Sequence, residues 1–97
     1  MLRHVVLFKF RDDTTAEQMA AIDAGLGALP GLIAELKAYK FGPDLRLGSG
    51  TWDYAVTADF DDAAGWLTYD QHPEHNRVRS ECFAPVVVDR VSVRFDS

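Results

Sequence analysis

Residues 3–10 read R-H-V-V-L-F-K-F, and this stretch constrains how everything after it must be arranged. Side chains alternate along an extended strand, so His4, Val6, Phe8 and Phe10 share one face and Val5 and Leu7 the other. Both faces are largely apolar. A strand wet on one side alternates more cleanly, so this one is expected to be covered twice over.

The segments that follow supply one cover. Thr14-Thr15-Ala16-Glu17 has the spacing of a capping box, with Thr14 as the cap and Glu17 reaching back. A helix is predicted over residues 15–29, with Met19, Ile22, Leu26 and Leu29 as its apolar stripe. Gly25 and Gly27 weaken that helix, which points to close packing there. Pro30-Gly31 stops it. A second strand is predicted over residues 36–42, closed by Gly42-Pro43-Asp44, and residues 45–50 read as a mobile connection. Residues 52–60, W-D-Y-A-V-T-A-D-F, form a third strand with Trp52, Tyr54, Val56, Ala58 and Phe60 on one face. Asp61-Asp62 caps a short helix over residues 63–69, and His72-Pro73 opens a second helical piece over residues 73–83 with Val78 and Cys82 inward. In the last strand, residues 86–95, one face carries Val87, Asp89, Val91, Val93 and Phe95. The other carries Val86, Val88, Arg90, Ser92 and Arg94.

The order β-α-β-β-α-β is that of an α+β, ferredoxin-like domain occupying residues 1–97: a four-stranded antiparallel sheet with its helices on one face. The helices leave the second apolar face uncovered. Each 100 Å² of apolar area removed from water is worth roughly 2.5 kcal/mol before association costs. A homodimer joined through the open sheet face is therefore expected.

Composition narrows the partners. Ten Lys plus Arg against fifteen Asp plus Glu give a net charge of −5 without basic clusters, which argues against nucleic acid and anionic membranes. No run approaches the ~20 apolar residues that span a bilayer. One cysteine, Cys82, rules out an internal disulfide framework, and the start lacks an apolar leader, so the expected location is the cytoplasm.

Proton-transfer groups concentrate in Tyr69-Asp70-Gln71-His72-Pro73-Glu74-His75. The window sits at a helix interruption, where a pocket mouth is plausible. His4 lies on an otherwise apolar strand face and is placed to share a cavity with a later histidine. A histidine in such surroundings stays neutral near pH 7 and can act as a general base, with Tyr69 holding a carbonyl or enolate oxygen. The blander readings are a hydrogen-bonded structural His4 and a His72 that merely caps a helix end. His72, Glu74 and His75 have part of a metal-ligand spacing but no evident third ligand, so no metal is expected. Cys82 reads as core, and the acidic pairs at the helix starts read as caps.

The segments H-V-V-L-F-K-F, L-P-G-L-I, F-G-P-D, W-D-Y-A-V-T-A-D-F and Y-D-Q-H-P-E-H-N-R-V together resemble the stress-responsive alpha/beta-barrel (Dabb) family over residues 2–95. The resemblance implies a dimeric ferredoxin-like barrel. One branch of the family contains plant polyketide cyclases that close a ring by C2–C7 aldol chemistry without a cofactor. Carried over from that branch, His75 would be the base, Tyr69 the substrate-orienting tyrosine and His4 a pocket histidine. Val6, Phe8, Ile22 and Val56 would line the cavity, and His72 stands beside it. The sequence departs from that branch at three places. Leu26 replaces a helix-one tyrosine, Val93 an acidic residue of the last strand, and Arg79, in place of a small residue, would narrow the pocket.

Two function classes follow. One is a small dimeric stress-associated protein, with a pocket in each subunit for a hydrophobic, carbonyl-containing molecule. The other is a cofactor-free cyclase or isomerase. An enclosed space of some hundreds of Å³ beside His4 and His75 is what a ligand would need.

Overall fold

The computed structural model describes residues 1–97. Strand β1 (Leu2–Phe10) is followed by helix α1 (Ala16–Ala28) and a single 3-10 turn (Leu29–Gly31). Strands β2 (Ala38–Pro43) and β3 (Tyr54–Phe60) come next, then α2 (Ala63–Gln71) and α3 (Pro73–Val78). A π-helical turn (Arg79–Phe83) leads into β4 (Val87–Asp96). The strands pair antiparallel in the order β2-β3-β1-β4, which is the ferredoxin-like sheet of an α+β fold.

The double-sided character of β1 follows from its central place. His4, Val6, Phe8 and Phe10 are all buried beneath the helices, while Val5 and Leu7 are only half-buried on the open face. Across the sheet, Tyr54, Val56, Ala58 and Phe60 fill the same helix-side layer from β3. Helix α1 closes over it with Ile22, Leu26 and then Leu29, all buried. Gly25 marks the tightest approach: a Cβ there would stand 3.2 Å from both γ-methyls of Val78 and 3.5 Å from the Cys82 sulfur.

Local chemistry moves some boundaries. The capping residue of α1 is Thr15, not Thr14. Thr15 Oγ1 accepts from the Gln18 N–H at 3.1 Å, and the Gln18 side chain accepts from the Thr15 N–H at 2.9 Å. Thr14 is spent on the preceding turn, its hydroxyl donating to the Arg11 carbonyl at 2.6 Å. The sequence fits a box in either frame, and the turn selects the later one. The connection after β2 is tied down at several points. Asp44 accepts from the Arg46 N–H and the Thr51 hydroxyl, and Asp53 accepts from the Phe10 N–H at 2.7 Å and from Arg46 at 2.8 Å. Trp52 lies outside β3, which begins at Tyr54.

The expected helix over residues 73–83 is α only to Val78. It then widens into the π turn, closed by the Ala84 N–H on the Arg79 carbonyl at 3.0 Å. This turn sets the Phe83 ring 4.5 Å from Phe8. In β4 the face assignment also shifts. Lys9 pairs with Asp89 but Phe10 pairs with Val87, so Val88 is an extra residue in a bulge. Val87 therefore turns toward the helices, while Asp89, Val91, Val93 and Phe95 stay on the open face.

Candidate active site

His72-Pro73 builds the site without entering it. Proline at the first position of α3 stops α2 from continuing and redirects the chain. His72 is the cap of α3: its Nδ1 accepts from the Glu74 N–H at 3.1 Å, so its ring is used locally and does not line the cavity. The break brings the last turn of α2 against the first turn of α3. The Tyr69 and His75 rings consequently lie 4.1 Å apart, tilted by 36°.

Beneath them, between β1, β4 and the helices, is a cavity of about 450 Å³. Its floor is His4, Val6 and Phe8 of β1 with Val56 of β3; its walls include Leu26, Val78 and Phe83. Of the residues singled out from sequence, His4, Val6, Phe8, Val56, Tyr69 and His75 converge here. Ile22 does not: it is fully buried in the core, one turn of α1 before the lining residue Leu26. Leu26 supplies apolar wall. Val93 faces away, on the open side of the sheet and 54% exposed. Arg79 narrows the space less than its size suggests, because it folds onto the Asp70 carboxylate at 3.0 Å.

The two cavity histidines hold their protons differently. Nδ1 of His75 lies 3.3 Å from the Asp70 carbonyl oxygen and 3.4 Å from Arg79 Nη2. It cannot donate to one and accept from the other at once. Arg79 already has a closer carboxylate partner, whereas a carbonyl oxygen needs a donor, so the proton belongs on Nδ1 and the free lone pair on Nε2. Nδ1 of His4 instead faces Arg94 Nη1 at 3.3 Å. A guanidinium can only donate, so the His4 proton sits on Nε2. Burial, and then the Arg79 charge, lowers the His75 pKa to about 4. Burial, and then Arg94 and Arg90, lowers that of His4 to about 4. Both rings are neutral at pH 7.

Tyrosines complete the polar set. The Tyr39 and Tyr69 hydroxyls are 2.9 Å apart, and burial pushes both pKa values up. Donation from Tyr39 to Tyr69 leaves the Tyr69 proton available to another acceptor. The arrangement thus combines a neutral imidazole base, a protonated phenol and an apolar chamber. No group of three His, Cys, Asp or Glu side chains stands close enough to hold a metal ion.

Sequence reasoning passed over Tyr39, Trp66, Arg90, Ser92 and Arg94, which also line the cavity. Trp66 lies under the Arg94 guanidinium, 4.6 Å from ring centroid to Cζ. The alternation Arg90, Ser92, Arg94 was visible in β4, but nothing in the sequence said that this face meets a cavity.

The chain resembles a set of small solved structures. A dimeric ferredoxin-like protein of unknown function from Thermobifida fusca is 41% identical, with a TM-score of 0.91 over 99% of this chain and 90% of that one. An uncharacterised protein of Streptomyces coelicolor is 31% identical over 78 residues, 77% of this chain and 79% of its own length. A hydroxynitrile lyase from Passiflora edulis shares the fold, with a TM-score of 0.83 over 97% of this chain and 90% of that one, at 23% identity. The stress responsive A/B barrel domain model matches residues 2–97, and the chain belongs to that family.

Proposed function

We propose that this protein is a homodimer with one pocket per subunit for a hydrophobic, carbonyl-containing small molecule, and that it moves a proton at the carbon next to that carbonyl. His75 is the base, acting through Nε2. Tyr69 donates to the carbonyl oxygen as it gains enolate character, and His4 offers its Nε2 proton as a further polar contact. Val6, Phe8 and Val56 hold the apolar part of the ligand. The reading needs no cofactor. The observation that carries it is the His75 ring, neutral and packed on Tyr69, with its Nδ1 proton directed to a backbone carbonyl beside a cavity of about 450 Å³. Orientation by a fixed acceptor is what makes an imidazole a directed base. The dimeric relative from Thermobifida fusca supports the assembly.

Deuterium incorporation at the α-carbon of a neutral aryl ketone, phenylacetone, followed by NMR in D₂O, tests the chemistry. Wild-type protein accelerates exchange above buffer. His75→Gln reduces that acceleration by about 10²-fold or more, and Tyr69→Phe also slows it, with circular dichroism unchanged in both. Exchange that survives His75→Gln in a folded protein removes His75 as the base.

A further inference from the structure

We infer that the ligand of this cavity is an organic carboxylate, its anionic end seated by Arg90 and Arg94 of β4 with the Ser92 hydroxyl between them. This rests on the reading of the cavity as a ligand site and specifies what that site takes.

The argument begins with the pattern of β4. On β1, the helix-facing positions His4, Val6 and Phe8 pair across the ladder with Arg94, Ser92 and Arg90. The layer that is otherwise apolar under the helices therefore becomes cationic at its β4 edge. On the opposite face of the same strand, Val91, Val93 and Phe95 follow Asp89 and are apolar.

Those charges are not neutralised within the chain. Arg79 has Asp70 at 3.0 Å, but no carboxylate lies within 4.0 Å of the Arg90 or Arg94 guanidinium, the Asp89 carboxylate being taken up by the Arg90 backbone N–H. Arg94 makes its only polar contact with His4 Nδ1 at 3.3 Å and otherwise rests on the Trp66 face. The Arg90 side chain makes no hydrogen bond, although it lines the cavity and its charge helps hold the pKa values of both His4 and His75 down. The Trp66 indole N–H, in the same wall, is buried without an acceptor. The cavity is thus rich in donors and poor in acceptors, in a protein whose overall charge is −5. Arg79 and Asp70 offset each other, so the two guanidiniums left without a carboxylate partner suit an anion, and a planar carboxylate matches the guanidinium fork.

Isothermal titration with 4-oxo-4-phenylbutanoate and its neutral amide tests the inference. Wild type is expected to bind the carboxylate about tenfold or more tighter than the amide, with a preference that shrinks as salt rises. Arg90→Gln removes a group with no polar contact in the fold, and should cut the preference severalfold. Arg90→Gln with Arg94→Gln should abolish it. Equal binding of the two probes by wild type overturns the carboxylate site while leaving the ligand pocket intact. An unchanged preference in the double variant overturns the assignment to these arginines. Binding of neither probe overturns the carboxylate site and weakens the pocket reading as well.

Discussion

His4 and His75 are two of only three histidines in the chain, and the structure gives them opposite tautomers. One backbone carbonyl and one guanidinium account for the difference. The local sequence signalled the density of proton-transfer groups around His75 but not the Asp70 carbonyl, because a backbone acceptor leaves no mark in side-chain identity. His72 shows the complementary case: a residue type that suggested chemistry is spent on a helix cap. The lowered pKa values carry a consequence for stability. Both fall from an ordinary value of 6.5 to about 4 on folding, so the unfolded chain binds more protons between those limits. The stability associated with the neutral rings is complete above about pH 6.5 and is lost as pH falls toward 4. The melting temperature of wild type should therefore drop across that window. His4→Gln with His75→Gln should flatten the drop, whatever its starting stability. Calorimetry at several pH values checks this, and parallel slopes for the two proteins would contradict it. By the same titration, α-proton exchange catalysed by His75 stays level from about pH 6 to 8 and declines toward pH 4.

Two elements account for most of what periodicity left open. In α1 the stripe of Ile22, Leu26 and Leu29 was legible, and the two glycines announced tight packing without saying which one carries it. Only Gly25 does. An added Cβ there meets Val78, a fully buried and β-branched side chain with little freedom to give way, at 3.2 Å. At Gly27 the nearest atom outside the helix is the tip of Phe41 at 3.8 Å, an ordinary contact. Gly27→Ala should accordingly gain up to about 1 kcal/mol from helix propensity. Gly25→Ala should lose about 1 kcal/mol, because overpacking costs roughly 1–3 kcal/mol against the same propensity gain. Urea unfolding of the two variants decides the matter, and equal effects would refute the close approach. In β4 the alternation was read correctly from Asp89 onward, but the bulge at Val88 moved Val87 to the helix side. A bulge depends on the partner strand's register, which no single-strand pattern contains.

The assembled molecule carries its last unsolved problem on the open face of the sheet. Val91, Val93 and Phe95 are 46%, 54% and 46% exposed, and Leu7 and Val5 of β1 lie beside Val91 and Val93 in the ladder. Two charges of that face are matched to each other: Arg3 and Asp59 form a bidentate pair at 2.8 and 3.0 Å, holding the Asp59 pKa below the ordinary carboxylate range. A paired charge at an interface costs less to desolvate than a lone one. A second copy presenting the same face would meet apolar surface with apolar surface, and a two-fold axis brings one patch onto its own image. Val93, paired with Val5, lies in the middle of this patch. Val93→Asp sets a carboxylate there in each copy, so two unpaired charges are desolvated against apolar side chains. Neither one touches the helix-side core, so the subunit fold should persist. Sedimentation equilibrium at micromolar concentration should then give about twice the 10.8 kDa chain mass for wild type and the single chain mass for Val93→Asp. A wild type that sediments as one well-folded chain under those conditions would refute the dimer, and the apolar strip of β4 would need another partner.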